Sequence, residues 1–142
     1  MRASIKWAGG ASFEARSETG HTVIMDGPPD MGGENRGARP MEMLLVGLGG
    51  CSAFDVVHIL QRGRHSVTDC QVEVTAERAE EPPKVFTRIH MHYRVEGDNL
   101  PDAAVKRAVS LSAEKYCSAS IMLGKTAEIT HDYEVVATVT GR

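Results

Sequence analysis

The sequence predicts an α+β protein with antiparallel sheet and two substantial helices, in the order βββ-α-ββ-α-β. Three observations carry this. Apolar and polar residues alternate with period two near the N-terminus and again over Val85–Glu96. Helical apolar spacing begins at Pro40 and Met41, a proline being well suited to the first helical position. A second helical pattern opens at Pro101-Asp102 and reaches about Lys115.

Taken in order, Ala3, Ile5 and Trp7 alternate with Arg2, Ser4 and Lys6, as in a half-buried strand. Gly9-Gly10 interrupts the pattern, and Ser12–Arg16 and His21–Asp26 supply two more short strands on either side of Thr19-Gly20. The stretch "GPPDMGGENRGARP", Gly27–Pro40, is too rich in glycine and proline for regular structure, and loops of this length in compact domains are usually functional. From Met41 to about Gln61, Leu44, Leu48, Val56, Ile59 and Leu60 spread around much of a helix. Gly63 ends it, with Arg62 and Arg64 at its negative pole. Val72, Val74 and Ala76, then Val85, Thr87, Ile89, Met91, Tyr93 and Val95 alternating with Phe86, Arg88, His90, His92, Arg94 and Glu96, mark two strands joined through "EEPPK". Cys117 follows the second helix and precedes a short helical turn at Ser118–Ser120; Glu128 to about Thr140 closes the chain as a strand. With no repeats and no linker, residues 1–142 read as a single domain.

Hydrophobic content of 42% and charged content of 25% are those of an ordinary globular chain able to bury a core. A net charge of −3 without any Lys/Arg run argues against a nucleic-acid partner, and 5% aromatic residues argue against a stacking platform for single strands. Glu42, Asp55 and His58 break the longest apolar stretch, so no membrane span is expected. The start "MRASIKWAGG" lacks the apolar segment of a secretory signal. With three cysteines, this points to a reducing cytoplasm, where cysteine chemistry is transient. A helix apolar nearly all round needs more cover than one small sheet provides, and a second subunit is expected to supply it, making a homodimer.

Chemistry centres on "LLVGLGGCSAFDVV", Leu44–Val57. Three glycines inside a helix sacrifice roughly 2–3 kcal/mol. Gly47, Gly50, Cys51 and Phe54 stand at i, i+3, i+4 and i+7, so the glycines clear space beside the sulfur. Two readings stay open. The face is either a packing device with Cys51 as a small hydrophobe, or a pocket around a reactive thiol. Cys117 sits where the N–H groups of a helical turn can lower a thiol's pKa; bringing it from about 8.5 to about 6 takes roughly 3.4 kcal/mol. Arg36, Arg39 and Lys115 are the nearby cations in sequence. Cys70, at the start of a strand, is assigned no chemistry. Cys51, Asp55 and His58 stand at i, i+4 and i+7, but about 10.5 Å along the axis is too far for one ion to bridge the outer two. His90 and His92 share an outward strand face with Arg88 and Arg94 and read as solvated.

The segments "RPMEMLLVGLGGCSAFDVVHIL" and "LSAEKYCSASIML" resemble the OsmC/Ohr family, and its OsmC-like branch most closely, with a likeness that runs over essentially the whole chain. The resemblance implies antiparallel sheets wrapped around central helices in an intertwined homodimer. It also implies a thiol peroxidase with peroxiredoxin-like chemistry and no cofactor: no haem, flavin or metal is required. Cys51 would attack an organic hydroperoxide and become a sulfenic acid. Cys117 would condense with it to a disulfide that a dithiol reopens. Closing a loop of about 66 residues, a permanent Cys51–Cys117 bond would add roughly 4 kcal/mol, and it is expected to be absent at rest. Met43, Leu44 and Phe54 would wall the pocket. The chain departs from the family where a glutamate follows the helix-opening proline, because Met41 stands there; Glu42 is rotated about 100° around the helix. Glu42 and Arg39 are therefore the candidates for supporting the thiolate. The alternative is a dimeric OsmC-like protein that binds a small ligand or serves in stress with little or no peroxidase activity.

Overall fold

The computed structural model describes residues 1–138, so Thr140, the expected end of the last strand, lies outside the described residues. The chain forms two compact units, Met1–Leu45 and Val46 onward.

In the first unit, β1 (Ala3–Trp7), β2 (Ser12–Ser17) and β3 (Thr22–Asp26) make an antiparallel meander, as the alternation predicts. Gly9 and Gly10 turn the chain between β1 and β2 at φ of 93° and 56°, values that residues with a side chain seldom adopt. The glycine-rich loop after β3 is organised by Asp26. Its buried carboxylate accepts N–H bonds from Gly27 and Glu34 at 2.9 Å and from Arg36 at 3.2 Å. These donors, Glu34 foremost, hold the Asp26 pKa below its ordinary value.

Helix α1 (Pro40–Arg62) starts at the expected proline. Glu42, at the third helical position, reaches back to accept the Arg39 backbone N–H at 2.8 Å, which is one half of a capping box.

In the second unit, β4 (Ser66–Arg78) and β5 (Phe86–Asp98) are antiparallel, and β6 (Glu128–Ala137) joins the free side of β5. That last pairing is parallel, with Ile89 opposite Ile129 and Tyr93 opposite Tyr133. Antiparallel pairing was the expectation throughout. The difference arises because α2 (Asp102–Leu111), a π turn (Ser112–Tyr116) and α3 (Ser118–Leu123) carry the chain back along the sheet before β6 begins, the crossover that parallel strands require. The α+β class is unchanged. Ile89, Met91, Tyr93 and Val95 alternate into the core with Val105, Ala108 and Val109 of α2.

On α1, Leu48, Ser52, Val56 and Leu60 recur every four residues and form its buried stripe. Val46 and Phe54, on other faces, are 61% and 70% exposed. A Cβ on Gly49 would meet Val74 at 3.3 Å, whereas one on Gly47 or Gly50 would meet nothing within 4 Å. One sequence expectation is corrected here. By length and composition α1 is apolar enough to cross a membrane, because Asp55 and His58 do not offset the aliphatic residues around them. Yet Ser52, halfway along, is hydrogen-bonded to Tyr93 of β5, and this ties the helix into the sheet.

Candidate functional site

Cys51 and Asp55 lie one turn apart on α1, each a single position before a buried residue, so both flank the buried stripe and are half-buried. Cys117 arrives from the other end of the chain. The π turn inserts an extra residue into the helical path, and its i→i+5 bond, from the Cys117 N–H to the Ser112 carbonyl, is 2.9 Å. This wider turn points both Ser112 and Cys117 inward, where each is fully buried.

The result is a convergence of three donor atoms. Cys51 Sγ, an Asp55 carboxylate oxygen and Cys117 Sγ all lie within 4.8 Å of one another, and all three cysteines of the chain are free. Cys117 caps α3: its sulfur accepts the Ser120 N–H at 3.4 Å, and its thiol reaches the Leu48 carbonyl at 4.0 Å. The expected lowering of its pKa by helix N–H groups is overturned. The Ser120 N–H does act in that direction, but burial outweighs it and pushes the thiol up to about 11. Cys117 is therefore held as a protonated thiol.

Behind the two sulfurs runs a buried chain of hydroxyls. Ser52 Oγ bonds Tyr93 Oη and, at 2.7 Å, Ser112 Oγ. Ser112 Oγ lies 3.2 Å from Asp55 Oδ2. Each hydroxyl has one proton, and a consistent direction passes from Tyr93 to Ser52, from Ser52 to Ser112, and from Ser112 to the Asp55 carboxylate. Burial pushes the Tyr93 pKa up to about 12, so the chain keeps its first donor.

Asp55 also lines a cavity of about 620 Å³ whose walls include His58, Ile59, Arg62, Arg107 and Tyr116. A second hollow of about 400 Å³, on the glycine side of α1, includes Gly50, Phe54, His58 and Cys70. Phe54 lines this second hollow, whose walls include neither Cys51 nor Cys117, and Met43 and Leu44 belong to the first unit. His58 stacks on Phe54 with ring centroids 5.8 Å apart. Asp55 converges with Cys51 and Cys117 rather than joining Cys51 and His58. Cys70 is half-buried, and burial followed by the Asp69 charge raises its pKa to about 11. Arg39 and Glu42 have local partners within the first unit. Besides the Glu42 cap, Arg39 Nη1 reaches Asn35 Oδ1 at 3.5 Å and the Gly37 carbonyl at 3.4 Å. Ser52, Tyr93 and Ser112 were not singled out from the sequence. Only Asp55 carried a signal, its i+4 spacing from Cys51.

The scaffold is thus an α+β fold that brings two distant free thiols together beside a carboxylate. The sequence profile of the OsmC-like protein family matches residues 32–132, and the chain belongs to that family. Protein YhfA of Escherichia coli strain K12 is 53% identical over 137 residues, covering 96% of this chain and 99% of YhfA. A structural-genomics structure that is 51% identical superposes with a TM-score of 0.88, covering 97% of this chain and all of its own. The organic hydroperoxide resistance protein OsmC of Legionella pneumophila shares the fold at 18% identity, with a TM-score of 0.67 over 98% of each chain.

Proposed function

We propose that the protein is a cysteine-based peroxidase for organic hydroperoxides. The observation that carries this is the approach of Cys51 and Cys117, 66 positions apart in sequence, to within 4.8 Å as free thiols. The half-buried Cys51, as thiolate, attacks the outer oxygen of ROOH. The O–O bond breaks, the sulfur becomes a sulfenic acid, and the alkoxide takes up a proton to leave as alcohol. The buried Cys117 thiol then attacks the sulfenic sulfur. A disulfide forms and water departs with the Cys117 proton. A dithiol reductant reopens the bond by exchange and is itself oxidised. A resolving thiol that is shielded and protonated does not compete for peroxide, which suits this division of labour.

The same proposal includes a cytoplasmic location and a homodimer formed across the exposed face of α1, where Val46, Phe54 and the uncovered Gly47 and Gly50 lie. Arg39 and Glu42 are the proposed charge pair supporting the thiolate, by resemblance to the family.

The test is turnover of a fatty-acid or aromatic hydroperoxide with a dithiol donor, alongside thiol counting without oxygen. The wild type should lose two of its three thiols together, and Cys51→Ser should slow turnover about a thousandfold or more. Cys117→Ser should stop after one turnover with a trappable sulfenic acid. Stabilisation by the hydroperoxide or its alcohol without thiol loss would replace this reading with that of a ligand-binding protein.

A further inference from the structure

We infer that the reduced site is also a capture site for one thiophilic divalent cation, zinc in the first instance, with Cys51 Sγ, an Asp55 carboxylate oxygen and Cys117 Sγ as ligands and water in the fourth position. The inference rests on the donor set and its surroundings and is independent of peroxide chemistry. Two sulfurs and one carboxylate oxygen lie within 4.8 Å of one another. Ligands on a tetrahedral zinc ion, at about 2.3 Å for sulfur and 2.0 Å for oxygen, stand roughly 3.5–3.8 Å apart. The site must therefore contract by about 1 Å, within reach of side-chain rotation at the half-buried Cys51 and Asp55.

Two features of the outer shell match what such ions need. Ser112 Oγ lies 3.2 Å from Asp55 Oδ2, a hydrogen bond that orients the carboxylate beside the two sulfurs. The Ser120 N–H, 3.4 Å from Cys117 Sγ, is placed to support a coordinated thiolate. Asp55 also lines the cavity of about 620 Å³, which gives an ion a route from solvent. Binding expels both thiol protons to water and leaves two thiolates and a carboxylate around a doubly charged ion, one negative charge in all. The oxidation states of metal and protein do not change. Because the same sulfurs would hold the metal or each other, occupancy and the disulfide exclude one another. A loaded site is parked in the reduced form.

Among the described residues, a second group of donors serves for contrast. On the exposed sheet face, Asp132 Oδ1 lies 2.9 Å from His90 Nε2 and 2.8 Å from His92 Nδ1. The experiment titrates the full-length, reductant-free dithiol protein with Zn²⁺ against a chromophoric chelator, and with Cd²⁺ read by thiolate-to-metal charge-transfer absorption. One ion per chain is expected, with the absorption of two thiolates. Cys51→Ser and Cys117→Ser should each weaken binding at least a hundredfold and Asp55→Asn about tenfold, while the disulfide form should bind no metal at this site. Folding of each variant is verified by circular dichroism, and Cys51→Ser, at a half-buried position, carries the result if Cys117→Ser unfolds. Affinity unchanged in Cys51→Ser, absence of the charge-transfer band, or binding abolished by His92→Ala would overturn the inference. None of these outcomes depends on peroxide turnover, so the peroxidase proposal stands or falls separately.

Discussion

Two polar clusters lie on opposite faces of one strand, β5, and they behave differently. Tyr93 points inward to Ser52, Ser112 and Asp55, with Tyr93, Ser52 and Ser112 fully buried. His92, the neighbouring residue, points outward to Asp132 and, at 3.9 Å, to Glu134. Period-two alternation alone puts one residue in the core and the next toward solvent. The inner cluster had to be complete, because each unpaired buried hydroxyl would cost about 1–3 kcal/mol. Among the described residues no buried side-chain nitrogen or oxygen lacks a partner. The outer cluster is under no such demand. Water substitutes for any missing bond, and what remains is a response to pH. Buried polarity therefore fixes geometry here, and exposed polarity tunes charge.

Three substitutions break or sharpen this contrast. The largest effect is expected from Ser112→Val, which strips the middle of the inner chain, leaving Ser52 and Asp55 short of a partner and adding bulk beside the π turn. A loss of about 2–4 kcal/mol in urea unfolding is expected, together with slower disulfide formation between Cys51 and Cys117. Tyr93→Phe removes only the first donor and keeps the ring, and should cost about 1–2 kcal/mol without altering the disulfide.

The smallest effect belongs to His92→Ala on the outer face, read as a change in the pH dependence of stability. The Asp132 hydrogen bond, with lesser help from nearby carboxylates, raises the His92 pKa above the ordinary 6.5. Its contribution is thus full below 6.5 and fades as pH rises through the higher folded value. The pKa of Asp132 is lowered from 3.8, first by His92 and then by His90, so its share is present above 3.8 and fades as pH falls through the lower folded value. The pair stabilises most between these limits. Wild type should therefore lose more stability than His92→Ala between pH 6 and pH 8. Equal slopes would show that the outer cluster contributes nothing.

The features legible in the sequence were those with short-range signals. Pro40 announced the start of α1, and the β5 alternation identified Ile89, Met91, Tyr93 and Val95 as inward-facing. The alternation failed at the start of the strand, where a register irregularity buries Phe86 and leaves Val85 and Thr87 exposed. What stayed hidden depends on residues far apart. Parallel pairing of β6 follows from the length and path of the crossover. The meeting of Asp55 with Cys117 needs the π turn, which "SAEKY" does not advertise. The Glu42 cap escaped notice because Arg39, rather than serine or threonine, precedes the proline. The glycines were read as clearing space beside Cys51. In the single chain, Gly49 allows close approach to Val74, while Gly47 and Gly50 open outward.

The π turn has a consequence for how this protein can vary. Replacing a residue within Ser112–Tyr116 keeps the winding of the turn, but removing one would restore ordinary helical winding and swing everything after it about 100° around the axis. Cys117 would then face away from Cys51 although both sulfurs were still encoded. The separation of Cys51 and Cys117 is set by chain length over five residues, so a single-codon deletion there would leave both thiols in the chain and keep them from meeting.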